Sequence, residues 1–275
     1  MNRSRALTVF IYIVIVILTV WSLFPLLWGL ATSFKEVKDI FTSPPQWIPL
    51  KPTLQHYYDL VVLGGFGRNI FNSVYISSLA TIISLIGGAL AAYPLARYRF
   101  AGDNIILLLI LSAMMIPGIC NLIPLYVMLS KLGLLNTYTG VIFIFGGWGI
   151  PYAVWIMRGF FQGLPQSLED AARVDGCNRL QILFKIIFPI SAPGLITTTI
   201  FLFINSWNNY IAARTYLHAA EKYTIPVKIF EMMTQELQDW GGTNAASFIS
   251  YLPILMLYAF LSKYFIAGLL RGSSK

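Results

Sequence analysis

Residues 104–130 read NIILLLILSAMMIPGICNLIPLYVMLS, a stretch that runs from Asp103 to Lys131 without one ionised side chain. A helix that crosses hydrocarbon needs about 17–25 mostly apolar residues. Charges are scarce there because each one at membrane depth is costly. Five further runs behave the same way: Ala6–Phe34, Asn69–Ala96, Leu132–Met157, Ile186–Ala213 and Trp240–Ser262. Every other uncharged interval is far shorter. Runs this long and continuous differ from the alternation of a membrane β-barrel, so each span satisfies its own backbone as a helix. The pattern predicts an all-α integral membrane protein with six transmembrane helices.

Composition agrees. Charged residues make up 11% of the 275 and hydrophobic ones 57%, with a mean hydropathy of +0.70. An ordinary soluble domain carries roughly 25% charge. These values exclude disordered, collagen-like and small disulfide-stapled chains. Cys120 falls inside the third run and Cys177 in a loop, which is no disulfide framework. Arg3 and Arg5 resemble the start of a signal peptide, but the apolar stretch after them outruns an h-region and no small-x-small site closes it. We read it as a retained first helix.

Orientation follows from Lys and Arg in the short loops. Six spans place both termini on one side. That side carries Arg3, Arg5, Arg97, Arg99, Arg158, Arg173, Arg179, Lys185, Lys263, Arg271 and Lys275 against Asp103, Glu169, Asp170 and Asp175, a net of +7. The opposite side nets +1. Both termini are therefore expected in the cytoplasm. Basic residues spread over separate loops in this way serve topology and do not form a nucleic-acid surface.

Among the loops, Lys35 to Arg68 is external and proline-rich, with Trp47, His56, Tyr57 and Tyr58 suited to a membrane-interface belt. A third external loop, Arg214 to Asp239, has room for an amphipathic helix near Val227–Leu237. The cytoplasmic segment 159–189 carries the most information. Pro165 suits a first helical turn, and Glu169 and Asp170 sit where a helix begins. Gly176 can end that helix in a left-handed turn, and a second helix from about Asn178 stops before Pro189. Two short helices at a sharp turn make a knob, and Ala171 and Ala172 leave one face bare for another protein to approach. Read alone, the segment is by default an ordinary connecting loop with solvated charges.

The segment resembles the EAA loop of binding-protein-dependent ABC importer permeases: Glu-Ala-Ala, three residues, Gly, nine residues, then Ile-x-Leu-Pro. Asp170-Ala171-Ala172, Gly176, Ile186, Phe188 and Pro189 fall at those spacings, with Asp170 for Glu and Phe188 for Leu. Thr32-Ser33-Phe34-Lys35, Pro44-Pro45-x-Trp47-x-Pro49, Ala92-Tyr93-Pro94-Leu95-Ala96-Arg97, Met115-Ile116-Pro117, Trp207-Asn208-Asn209-Tyr210 and Gly268-Leu269-Leu270-Arg271-Gly272 extend the likeness to carbohydrate-uptake permeases similar to the G-type subunit of maltose transporters.

The resemblance implies a type I ABC importer permease fold, with a first helix and external loop in 1–68, a core in 69–267 and a cytoplasmic tail in 268–275. It implies a multi-pass subunit of the bacterial cytoplasmic membrane. That subunit pairs with a second permease, as a hetero-dimer, above two ATP-binding cassette subunits, and an external solute-binding protein delivers a sugar or oligosaccharide. Glu169, Asp170, Ala171, Ala172, Asp175, Gly176 and Arg179 would dock the ATPase, with a further contact from Gly268, Arg271 and Gly272.

No Gly-x-x-x-x-Gly-Lys-Ser/Thr loop occurs, so ATP with Mg would be used by the partner, and no cofactor or metal set is expected on this chain. No catalytic set stands out either. An ion-coupled secondary carrier is the alternative, and so is a permease of the same class for a non-sugar solute. The carrier usually needs an acid or His within a span, but none of the six runs has one, and His56 and His218 lie outside them. A sugar needs neutral hydrogen-bond partners and aromatic faces. Asn72, Asn121, Trp148, Tyr152, Asn205, Trp207, Asn208 and Asn209 are the candidates for its path, and each could equally be packing glue or an interface anchor.

Overall fold

The computed structural model describes residues 2–234 and 239–272, with side chains for 7–234 and 239–260. Among the described residues every regular element is helical. The principal helices are α1 (Asn2–Ser33), α2 (Phe66–Arg97), α3 (Asp103–Ser112), α4 (Leu122–Lys131), α5 (Tyr138–Gln162), α6 (Ser167–Val174), α7 (Arg179–Ile182), α8 (Ala192–Trp207), α9 (Ile211–Tyr216), α10 (Ile225–Met233) and α11 (Trp240–Gly272). The chain divides into two compact units, residues 1–67 with 229–251, and residues 68–228 with 252–275.

Four helices, within α1, α2, α5 and α11, are long and apolar enough to cross a membrane unaided, and six spans result if each of two bent pairs is one span. The expectation of six continuous helices therefore needs correcting at two runs. In the third, Asp103–Met115 and Gly118–Lys131 meet at 93°. The break lies at Ile116, whose extended ψ of 116° is what a residue before proline prefers. In the fifth, the helical segments Arg179–Ile190 and Ala192–Trp207 meet at 77°. Pro193 stands in the first turn of α8, where its missing N–H costs nothing.

Pro189 does not end the preceding segment as expected. A wide turn over Leu183–Ile187 lets Phe188 donate to the Leu183 carbonyl, and the chain winds on through Pro189 to Ile190. By contrast, Pro25, Pro94, Pro151 and Pro253 lie inside unbroken helices. The amphipathic helix expected near Val227–Leu237 is α10, shifted toward the N-terminus, and Leu237 lies outside the described residues.

In the first unit the segment after α1 folds back on it. Trp47 packs edge-on to Trp28 at 5.2 Å, and the Lys35 ammonium lies 4.2 Å over the Trp28 ring. Burial pulls the Lys35 pKa below its ordinary value. His56 is buried, with Nε2 2.9 Å from the Lys35 carbonyl and Nδ1 3.6 Å from Asp239 Oδ1. Its ring lies against Gly241, where a Cβ would collide with it.

In the second unit α2 and α5 pack through small residues, which let two backbones approach closely where apolar burial gives little drive. A Cβ on Gly88 would run into Ala153, and one on Gly149 into Ser84. Ser84 Oγ reaches the Ala80 carbonyl at 2.9 Å and the Gly146 carbonyl at 2.7 Å, so one hydroxyl spans both helices. Gly146 and Gly149 thus give a close contact, in a helix that stays unbroken through Pro151. Gly149→Leu is expected to cost at least the roughly 1–3 kcal/mol of an overpacked core and to lower the melting temperature in detergent. Gly147→Ala, facing open space, should leave that temperature unchanged.

Candidate functional site

Two sites emerge in the second unit. The first is the knob formed by α6 and α7. Gly176, at φ +82°, turns the chain between them, in the left-handed region that favours glycine. Asn178 then starts α7 with a reciprocal cap, accepting from the Gln181 N–H at 2.9 Å and donating its own N–H to Gln181 Oε1 at 2.9 Å. Successive helical residues point about 100° apart, and this separates the two acids of the motif. Asp170, Ala171, Asp175, Gly176 and Arg179 are exposed, whereas Glu169 and Ala172 are buried.

Glu169 is fully enclosed. Its Oε1 lies 2.7 Å from Arg97 Nε, and its Oε2 accepts from Tyr93 Oη at 3.1 Å and lies 3.5 Å from Arg173 Nη2. Arg97 is the last residue of α2 and only 5% exposed in its side chain, so both charges sit away from water. The Arg97 contact is an ion pair rather than a straight hydrogen bond, and Nη2 of Arg97 faces no acceptor. Removing one member of a buried ion pair costs about 3–5 kcal/mol, because the other is left uncompensated.

Arg173 is shared. Its Nη1 also lies 2.9 Å from Asp170 Oδ1, on the exposed side of α6. The result is an alternating series, Arg97, Glu169, Arg173, Asp170, that leads from the end of α2 to the surface of the knob. A second attachment comes from α7, where the Arg179 guanidinium lies 5.1 Å over the Tyr98 ring. Below these, Ala172, Ile182, Leu183 and Ile187 pack with Tyr93, Met157 and Phe161 in one apolar cluster. Gly268, Arg271 and Gly272 fall in the last turns of α11, and their side chains lie outside the described residues.

The second site is a pair of cavities beside the break at Pro117. Asn121, Trp148, Tyr152 and Asn205 line one of about 330 Å³, together with Met114, Gly147 and Asn209. Asn208 lines a neighbouring one of about 460 Å³ with Trp148, Asn209 and Tyr210. No lining residue of either is charged. Residues on both sides of the right-angle turn between α3 and α4, Met114 before it and Asn121 after it, line the first of these cavities. Two candidates fall elsewhere. Trp207 is buried and stacks on Phe203 at 5.5 Å. Asn72 donates to the Glu221 and Tyr223 carbonyls at 2.9 and 3.0 Å and accepts from Tyr138 Oη, holding a loop. Among the described residues no cluster of His, Cys, Asp and Glu could hold a metal.

Arg97 and Tyr93 went unrecognised in the sequence as parts of the knob. The available signal was helical spacing, since Glu169 lies three residues before Ala172 and so shares its inward side.

Residues 84–271 match the family model described as binding-protein-dependent transport system inner membrane component. The chain is 31% identical over 275 residues to the diacetylchitobiose uptake system permease protein DasC of Streptomyces coelicolor, covering 100% of each. It is 32% identical to the trehalose/maltose transport system permease protein MalG of Thermococcus litoralis, with 94% of each chain covered. A chain of a bacterial ABC transporter involved in the import of the acidic polysaccharide alginate superposes with a TM-score of 0.84 at 23% identity, over 96% of this chain and 98% of that one. The fold is thus that of an ABC importer's membrane subunit, the maltose-type resemblance holds over nearly the whole length, and this chain belongs to the family of binding-protein-dependent transport system inner membrane components.

Proposed function

We propose that this chain is one permease half of an ATP-driven importer for a neutral sugar or oligosaccharide, working with a second permease, two ATPase subunits and an external solute-binding protein. The observation that carries the reading is the pairing, within one unit, of two neighbouring uncharged cavities, which between them bear Trp148, Tyr152 and four asparagines, with a knob whose exposed face matches a docking motif. Asparagine amides both donate and accept, as sugar hydroxyls do. Indole and phenol rings offer flat apolar faces for the C–H side of a sugar ring. An acidic sugar would need cations, and the cavity walls provide none, which supports a neutral cargo. The carbohydrate named for DasC and MalG supports the same class.

The docking face of the knob is Asp170, Ala171, Asp175 and Gly176, with Val174 and Leu180 exposed beside them. The net charge of +7 on one set of loops supports cytoplasmic termini and a cytoplasmic knob. Closure of the ATPase dimer then moves the knob as a lever, and the helices rock between inward and outward openings. The break at Pro117, beside the cavity, is a place where such a change can occur without bending a long helix.

Affinity purification of the tagged chain from its native membrane in mild detergent tests the assembly. Recovery of a second permease and an ATPase is expected, both reduced at least fivefold by Gly176→Trp; a chain recovered alone, or only with copies of itself, would sink the reading. In proteoliposomes holding the complex, Trp148→Ala should raise the half-saturating concentration for sugar uptake roughly tenfold, about 1.4 kcal/mol. Trp207→Phe, away from both cavities, should leave it near the wild-type value.

A further inference from the structure

The knob carries a charged group that its docking surface cannot use. Glu169 is enclosed on all sides, yet it lies in the first turn of the helix that would meet the ATPase. A well-packed apolar side chain would hold α6 against α2 as firmly as a buried ion pair does. What the ion pair adds is one-to-one register: Arg97 and Tyr93 meet Glu169 in a single arrangement, and sliding α6 past the end of α2 would strand a charge away from water. Helix α2 must therefore follow α6, or the pair must break.

We propose that Glu169 is the positioning residue through which movement of the knob is passed to α2, with Arg97 as its counterpart. This rests on the reading of the knob as an ATPase-docking loop and assigns Glu169 to the inside of the lever rather than to its docking face. Arg173 completes the arrangement. It bridges Glu169 to the exposed Asp170, so an ATPase cation that takes Asp170 leaves Arg173 to Glu169 and tightens the inner cluster at the moment of docking. The groups facing Glu169 are Arg97 and Tyr93 from α2 and Arg173 from α6, while Arg179 of α7 holds Tyr98 just beyond. The two short helices thus grip the same end of α2 at separate points.

The test uses the complete complex, with both permeases, the ATPase and the binding protein, in proteoliposomes, and reads sugar taken up per ATP hydrolysed. Glu169→Gln keeps shape and hydrogen bonding but removes the charge. It is expected to retain the ATPase at the wild-type ratio, to hydrolyse ATP within about twofold of wild type, and to lower uptake per ATP at least fivefold. Arg97→Gln should do the same, and Arg97→Glu combined with Glu169→Arg should recover at least half of the loss, which a general loss of stability would not allow. Glu169→Asp, keeping the charge, should fall between Glu169→Gln and wild type.

Unchanged uptake per ATP in Glu169→Gln overturns the proposal, as does loss of the bound ATPase, which would make Glu169 a docking contact. Failure of the exchanged pair to recover coupling, or recovery of both Glu169→Gln and Glu169→Asp below a tenth of the wild-type yield, reduces the pair to a structural role. A wild-type complex that holds no ATPase defeats the permease reading itself, and is told apart from the others because it needs no variant.

Discussion

Hydrocarbon offers neither a partner for a peptide N–H nor a solvent for a charge, and the arrangement of this chain follows from those two refusals. The long runs coil into helices because only a helix satisfies its backbone within one segment. The charges collect between them, in loops where water or another charge can meet them. Where α2 and α5 must touch deep in the fold, glycine and alanine supply the contact, because apolar burial gives little advantage between surfaces that lipid would cover equally well. Where the chain departs from a helix, at Ile116–Pro117 and at Ser191, it does so beside a cavity or at the base of the knob.

The cavity and the knob solve the same problem in opposite ways. At the cavities, polarity comes from neutral amides and aromatic rings, so the proposed cargo would exchange water for protein without facing a fixed charge. At the knob, polarity comes from full charges that neutralise one another, two arginines against two acids. The first is suited to weak, exchangeable contact with a moving solute. The second suits a joint that must keep its register while force passes through it. Helix α5 serves both: Gly147, Trp148 and Tyr152 line the first cavity, and Met157 and Phe161 pack with Tyr93 of α2 beneath the knob.

Much of this could be read in the sequence. Charge spacing alone separates the spans, and the Gly176 spacing with the Ala171–Ala172 pair marks the knob before any coordinates. The directions of the broken helices could not be read. Pro117 and Pro94 look alike in an apolar run, but Pro94 lies in an unbroken helix, whereas Pro117 follows an extended Ile116 and precedes Gly118. Which outcome a proline produces depends on whether neighbouring groups take up the freed carbonyl, and that is tertiary information. The acids were similarly ambiguous. Glu169 and Asp170 are neighbours with the same chemistry, and only the turn of about 100° between them sends one to Arg97 and the other to solvent. Trp207 illustrates the reverse: its aromatic ring beside three polar neighbours suggests a path residue, but it faces Phe203 in the interior.

The central claim is that the knob and the end of α2 move as one body. Spin labels at Ser167, exposed at the start of α6, and at Phe100, just beyond Arg97, report the distance between them by pulsed electron resonance in the assembled complex with and without ATP. The account predicts that this distance stays within about 2 Å, the scale of small helix shifts, under conditions where ATP drives uptake. A change approaching one helical turn, about 5.4 Å, would mean that α6 slides past α2, and would contradict it.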